Sequence, residues 1–347
     1  MEEILFITDI EFSIVVFAFI VLIIFSLRKR RADGSCRFFI ENYKHSKDFS
    51  MLVKGMACVM ILLSHYSARV LGGGLPKGVT YYVTIYAANL ALIFFMFYSG
   101  YGISLANANT QGGLRSAWVT RLRKVYFPLL FVCVINTLFF IIPNDGITGW
   151  GKMLYVIGWA DEWYVICIIY FYSIYYFSLF LSRKLQISES LILSVLLLVY
   201  FIMAYLLCGE LKAHFYRYPC AFMIGHLVAM RHRNSKKESW GILLVFLLTL
   251  IPCGIHYIKS YILAFTCLYI VGLIQQRTCV KTNSILYGLG SISYFFYLTH
   301  ERIAWKFLEF VGIHSYFHSC LLWIGITLCL AIFLKFIYNL LIVKVFS

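Results

Sequence analysis

Charge is scarce in this chain. Only 13% of its 347 residues are charged and 62% are hydrophobic, with a mean hydropathy of +0.83. A soluble globular domain carries about a quarter charged residues. There is too little polar material here to cover one core, which excludes an ordinary soluble enzyme. A disordered chain is excluded too, because disorder needs charge and little apolar content. The 11 cysteines include no CxxC pair. Most lie inside apolar runs (Cys58, Cys133, Cys167, Cys267, Cys329), where a free thiol behaves as a small hydrophobe. They predict neither a disulfide framework nor a cysteine metal site. No internal repeat, low-complexity stretch or second domain is visible.

What is present is a series of apolar runs. They cover roughly residues 10–27, 51–71, 81–106, 125–142, 162–181, 188–207, 214–230, 240–258, 260–275, 284–300 and 319–341. Runs of about 20 residues match the thickness of a bilayer core. The expected fold class is all-α, a polytopic transmembrane helical bundle of about eleven spans. Aromatic residues reach 18%, which suits interfacial belts and packed spans. The loop at 257–260 is short, and the segment 301–318 reads as an interfacial or re-entrant helix.

The net charge of +15 comes from 30 Lys and Arg against 15 Asp and Glu. In a soluble chain that balance suggests nucleic acid. Here the basic residues sit between apolar runs, so the reading is topological and no nucleic-acid partner is expected. Alternating the spans places 22 of the 30 basic residues on one side, among them those of 28–54 and 107–124. That side is then cytoplasmic. The expectation is an N-terminus outside and a cytoplasmic C-terminus. The run 10–27 is followed at once by Arg28-Lys29-Arg30-Arg31. A secretory signal carries its positive charge before the apolar core, so this run is read as an uncleaved span. Residues 1–47 form an extra N-terminal span plus a basic cytoplasmic linker, and 48–344 the main membrane domain.

Two groups of residues stand out against this apolar background. Lys54 and His65 lie eleven residues apart, which is about three turns and about 16 Å of rise. Both fall on one helix face, Lys54 near the cytoplasmic edge and His65 near mid-membrane. An ionisable group at that depth is costly and is a functional candidate by default. Histidine also suits proton transfer near neutral pH. Alone, His65 reads equally as a packed histidine bonded to a neighbouring span, and Lys54 as a snorkelling lysine.

The second group follows the stretch Tyr98-Ser99-Gly100-Tyr101-Gly102. It is the cluster Arg121-Leu122-Arg123-Lys124, with Pro128 after it. Arg121 and Lys124 share a helix face, and clustered cations can hold a polyphosphate. Alone, the cluster reads as a positive-inside anchor. Gly100 and Gly102 are expected to let helices approach closely. No metal-ligand spacing is visible. His314 and His318, four residues apart, offer only two ligands.

Taken together and in this order, these elements resemble the acyltransferase-3 family of integral membrane acyltransferases. Lys54-x10-His65 fits the family's Arg/Lys-x10-His pattern, and Asp48 to Ala57 is similar to its lead-in. Phe94 to Ile103 resembles an FF-x-x-SG stretch. Arg121-Leu-Arg-Lys124 with Pro128 resembles an RxxR-and-proline segment, with a Lys for the second Arg and the proline one position late. Glu162-Trp163-Tyr164, Arg217 to His226 and Tyr294 to His300 also have family counterparts. The span at 10–27 lies outside the family pattern.

The resemblance implies transfer of an acyl group, usually acetyl, from cytoplasmic acetyl-CoA or another acyl-CoA. The implied acceptor is a hydroxyl of a surface polysaccharide or a lipid-linked saccharide. His65 is expected as general base or transient acyl carrier, with Ser64 or Ser99 assisting. Arg121 and Lys124 are expected on CoA phosphates, with Arg123 and Lys54 assisting. Ser99, Glu162, Trp163 and His300 are expected toward the acceptor. His300 also reads as a belt residue at the interface. No metal cofactor is expected. The implied setting is the bacterial cytoplasmic membrane. A competing reading is a transporter or flippase of lipid-linked saccharides, with buried cations lining its path. It predicts inverted repeats or paired broken spans, and neither is visible.

Overall fold

The computed structural model describes residues 17–29, 47–71, 82, 86–107, 113–141, 149–157, 163–208, 214–232, 239–307 and 316–346. The candidate residues Glu162 and His314, and the side chain of His318, lie outside the described residues. Helices account for nearly all of what is described. They are α1 (Lys47–Leu71), α2 (Ala88–Asn107), α3 (Leu114–Asn136), α4 (Gly149–Val156), α5 (Trp163–Leu185), α6 (Glu189–Cys208), α7 (His214–Arg217), α8 (Pro219–His232), α9 (Ser239–Leu248), α10 (Ile255–Arg277), α11 (Ile285–Thr299) and α12 (Tyr316–Phe346). Among the described residues, seven helices are long and apolar enough to cross a membrane. The shorter apolar stretches 241–253 and 285–299 add to them.

Helices here expose apolar faces where a soluble bundle would expose polar ones. In α6, Leu191, Val195, Val199, Ile202 and Leu206 are all exposed. Their spacing of three and four residues makes one apolar stripe, which only a lipid phase solvates well. The opposite face buries Ser190, Leu193, Ser194, Leu197 and Phe201. Helix α12 follows the same rule. Trp323, Thr327, Ala331 and Leu334 face inward, while Ile332, Phe333, Phe336 and Leu340 face out.

The chain divides into two compact units, residues 1–91 with 264–347, and residues 92–263. In the first, α1 and α11 pack as parallel neighbours. Near their starts, Tyr287 donates to Asp48 Oδ1 at 3.3 Å. Further along, the Cys58 thiol lies 3.7 Å from the Ser293 carbonyl, 235 residues apart in sequence. The same offset relates Gly55 to Gly290 and His65 to His300. A Cβ on Gly55 would overlap the Leu286 carbonyl, and one on Gly290 would overlap that of Met51. Glycine is thus required at both positions for the backbones to approach this closely.

Below this crossing, the strands β1 (Leu27–Lys29) and β2 (Thr278–Val280) pair antiparallel, with Leu27 opposite Val280. Residues 17–25 are helical, and Phe19, Leu22 and Ile23 pack against Phe49, Leu52 and Leu286. The N-terminal segment therefore shares a core with α1 and α11.

The second unit repeats the close crossing. A Cβ on Gly100 of α2 would overlap the Phe222 carbonyl, and one on Gly225 of α8 that of Phe97. Gly102, also expected at a close contact, has nothing within 4 Å of a would-be Cβ. Two residues along a helix turn the side chain to nearly the opposite face. Beside this crossing, His226 is fully buried between Ser104 (2.8 Å to Nδ1) and Ser190 (3.0 Å to Nε2). The Ser104 hydroxyl donates to the Gly100 carbonyl at 2.8 Å. Its oxygen then accepts from Nδ1–H, which leaves Nε2 to accept from Ser190.

Two boundaries differ from the sequence reading. The break expected at 257–260 falls earlier, at a 3-10 turn over Ile251–Cys253 that ends on Gly254 with φ +89°. Pro252 lacks the amide a continuing helix needs, and Gly254 adopts the left-handed turn. The long helix α3 starts at Leu114, not near 125. The basic cluster is therefore helical, and Trp118 Nε1 anchors it to Ser173 Oγ of α5 at 3.4 Å.

Candidate active site

The ends of α1 and α11 bring together two of the candidate residues. The rings of His65 and His300 lie 5.1 Å apart, centre to centre. This follows from the crossing at Gly55 and Gly290. Each histidine lies ten residues beyond its glycine, so both helices carry their histidine to one level, about 15 Å further on. His300 is 4% exposed, so it is a packed interior group and not a belt residue.

Helix α11 does not stop at His300. It widens into a π-helix over His300–Trp305, a distortion that is common at functional sites. The widened turn carries Glu301 to His65, with Oε2 3.9 Å from Nδ1; the two side chains are 37% and 29% exposed, His65 first. This places an ion-pair partner beside the histidine. Sequence reasoning missed Glu301, because nothing in Tyr294 to His300 announces a change in helix pitch.

Neighbouring groups fix the His300 ring. Its Nδ1 lies 2.5 Å from the Tyr297 carbonyl. A carbonyl only accepts, so Nδ1 carries a proton and Nε2 holds the lone pair. Trp323 of α12, fully buried, donates its indole N–H to the His300 carbonyl. The two rings stack 6.3 Å apart at 18°. Tyr66, next to His65, packs against the same indole at 5.9 Å.

Three donor atoms of His65, His300 and Glu301 lie within 4.8 Å of one another. Spacing along the chain selects no metal set because the two histidines come from helices far apart in sequence. The packing of α1 on α11 assembles the set.

The remaining candidates divide between the units. Lys54 is half-buried on α1, and Ser64 is buried next to His65. Ser99, Arg121, Arg123, Lys124 and Trp163 all belong to the second unit. Arg121 is half-buried on α3, while Arg123 and Lys124 are exposed. Pro128 lies inside this helix, so the Lys124 carbonyl four residues back loses its usual amide partner. Ser99 is half-buried on α2. Trp163 opens α5 and stacks on Tyr218 at 5.8 Å and 20°. Arg217 beside it sits over the Tyr257 ring at 3.8 Å.

A family model described as an acyltransferase domain, acyltransferase-3, matches residues 49–340. No curated protein and no solved structure matches the chain. The match spans most of the sequence and takes in both the His65 site and the Arg121 cluster. The chain therefore belongs to the acyltransferase-3 family of membrane acyltransferases.

Proposed function

We propose that this acyltransferase moves an acyl group, acetyl in the first instance, from a cytoplasmic acyl-CoA to a saccharide hydroxyl. The acceptor is a surface polysaccharide or a lipid-linked sugar, and the setting is a bacterial cytoplasmic membrane. The observation that carries the reading is the pairing of His65 with Glu301, three turns along α1 from Lys54. A histidine flanked by a carboxylate is the usual arrangement of a general base in acyl transfer.

His65 takes the proton of the acceptor hydroxyl through one ring nitrogen. The oxygen attacks the thioester carbonyl, the C–S bond breaks, and the CoA sulfur leaves with the proton that the imidazole returns. An ester and free CoA result. The alternative order, in which His65 first takes the acyl group as an acyl-imidazole, uses the same residues. Glu301 stabilises the imidazolium in either order. Arg121 and Lys124 bind CoA phosphates, with Arg123 and Lys54 assisting. Ser64 or Ser99 hydrogen-bonds near the reacting atoms, and Trp163, Glu162 and His300 serve the acceptor side. An aromatic face such as that of Trp163 suits the apolar face of a sugar.

The test is acetyl-CoA binding and hydrolysis by the purified protein, beside His65→Ala and Arg121→Ala. The expected result is binding without turnover in His65→Ala and weak binding in Arg121→Ala. A wild-type protein that neither binds nor cleaves any acyl-CoA removes the donor assignment and favours the transport reading.

A further inference from the structure

We infer that His65, His300 and Glu301 form a binding site for a divalent transition metal of the zinc class, and that its occupancy switches acyl transfer off. The second half rests on the proposed role of His65; the first does not.

The donor set is the first argument. Two imidazoles and one carboxylate lie within 4.8 Å of one another. Nitrogen-rich sets of this kind suit zinc and its neighbours, whereas magnesium and calcium take oxygen. Three protein ligands leave a fourth tetrahedral position open. The ligand atoms of such a site lie about 3.3–3.5 Å apart, as metal–ligand bonds of about 2.0–2.1 Å require. The His65–Glu301 separation is 3.9 Å and all three ligand atoms lie within 4.8 Å of one another, so rotation of the two partly exposed side chains closes the set.

The second argument is the support around His300. A metal-bound histidine usually donates its other ring N–H to a carbonyl or carboxylate. His300 already does so, through Nδ1 to Tyr297 at 2.5 Å. That bond aims the Nε2 lone pair away from its own helix. Stacking on Trp323 and the indole bond to the His300 carbonyl hold the ring there. One ligand is thus pre-oriented on a rigid element, and the two partly exposed ones adjust to it.

The inhibitory effect follows from the chemistry of imidazole. A metal on either nitrogen of His65 leaves the other nitrogen protonated in the neutral ring. No lone pair then remains to take a proton from an acceptor or to attack a thioester. Metal and acyl transfer compete for one ring.

The test uses the full chain in detergent, without acyl-CoA, titrated with Co²⁺ and followed by visible absorption. The expected result is one equivalent bound with tetrahedral bands, displaced by one equivalent of Zn²⁺. Glu301→Gln, on a partly exposed side chain, should weaken binding at least about tenfold, as even loss of an outer partner does. His256→Gln, on an exposed histidine of α10, should bind like wild type. Absence of the bands, or bands that persist unchanged in both Glu301→Gln and His65→Gln, overturns the site. Zn²⁺ should also abolish acetyl-CoA hydrolysis by the wild type, with recovery on chelation. Metal binding that leaves hydrolysis unchanged or raises it overturns the inhibitory role alone. A protein that binds Co²⁺ but no acyl-CoA keeps the site and loses the donor assignment.

Discussion

His300 and His226 are both buried histidines, but they are held in different ways. His226 has both ring nitrogens bonded to serine hydroxyls, which suits a structural post between α2, α6 and α8. Ser190→Ala is expected to remove the donor to Nε2 and cost about 1–3 kcal/mol, the usual penalty for a buried group left unsatisfied. Thermal unfolding in detergent reads this as a lowered midpoint, and an unchanged midpoint rejects the network as a stabilising element. His300 is anchored instead by its backbone and one ring nitrogen. Trp323→Phe keeps an aromatic face on His300 but removes the indole N–H from its carbonyl. The expected outcome is turnover reduced more than acyl-CoA binding, because the reacting groups move while the donor contacts stay. Equal loss of both would mean that Trp323 acts on the fold at large. At this scale the sequence was only half legible. His65 could be singled out because a titratable group deep in an apolar run is rare. Glu301 could not, since its role depends on a change of helix pitch that residue types alone do not encode.

Each unit holds one helix crossing closed by a glycine on either partner. Gly55→Ala is expected to force α1 off α11 at a backbone contact that no rotamer change relieves. Overpacking of this kind costs about 1–3 kcal/mol, sometimes more. Gly102→Ala meets open space and is expected to be neutral or stabilising by up to about 1 kcal/mol, since alanine is the better helix former. Measuring the two side by side by thermal unfolding separates close approach from glycine content. A Gly55→Ala protein as stable as wild type would contradict the crossing. Apolar length alone made the long helices legible. The end of α9 and the start of α3 were not, for different reasons. Pro252 and Gly254 mark the true break, but they stand inside an uninterrupted apolar run. At α3 the sequence already put Arg121 and Lys124 on one helix face, but the apolar run began only near 125; Leu114, Trp118 and Leu122 carry the helix back beyond it.

At the scale of the whole molecule, the β1–β2 ladder ties the end of the N-terminal helix to the turn between α10 and α11. Residues near 27–29, 47 and 281 therefore lie at one level. In a cysteine-free background, Lys47→Cys and Lys281→Cys are expected to react with an impermeant maleimide from the same side, and Lys306→Cys from the other. Reaction of all three from one side would contradict the parallel arrangement. That arrangement also constrains how often the chain crosses the bilayer. A chain that leaves α1 on one side and enters α11 on the opposite side has crossed an odd number of times between residues 71 and 285. Among the described residues, α2, α3, α5, α6 and α10 are long and apolar enough to cross and α9 opens a shorter apolar stretch; counting the 14-residue α8 as well makes seven, which satisfies this parity. At eight and four residues, α4 and α7 are far too short to add a crossing to a core about 30 Å thick. Among these described helices, removing any one as a crossing requires removing a second. The half-length helices α8 and α9, neighbours in sequence, can be reassigned as a re-entrant pair together but never singly.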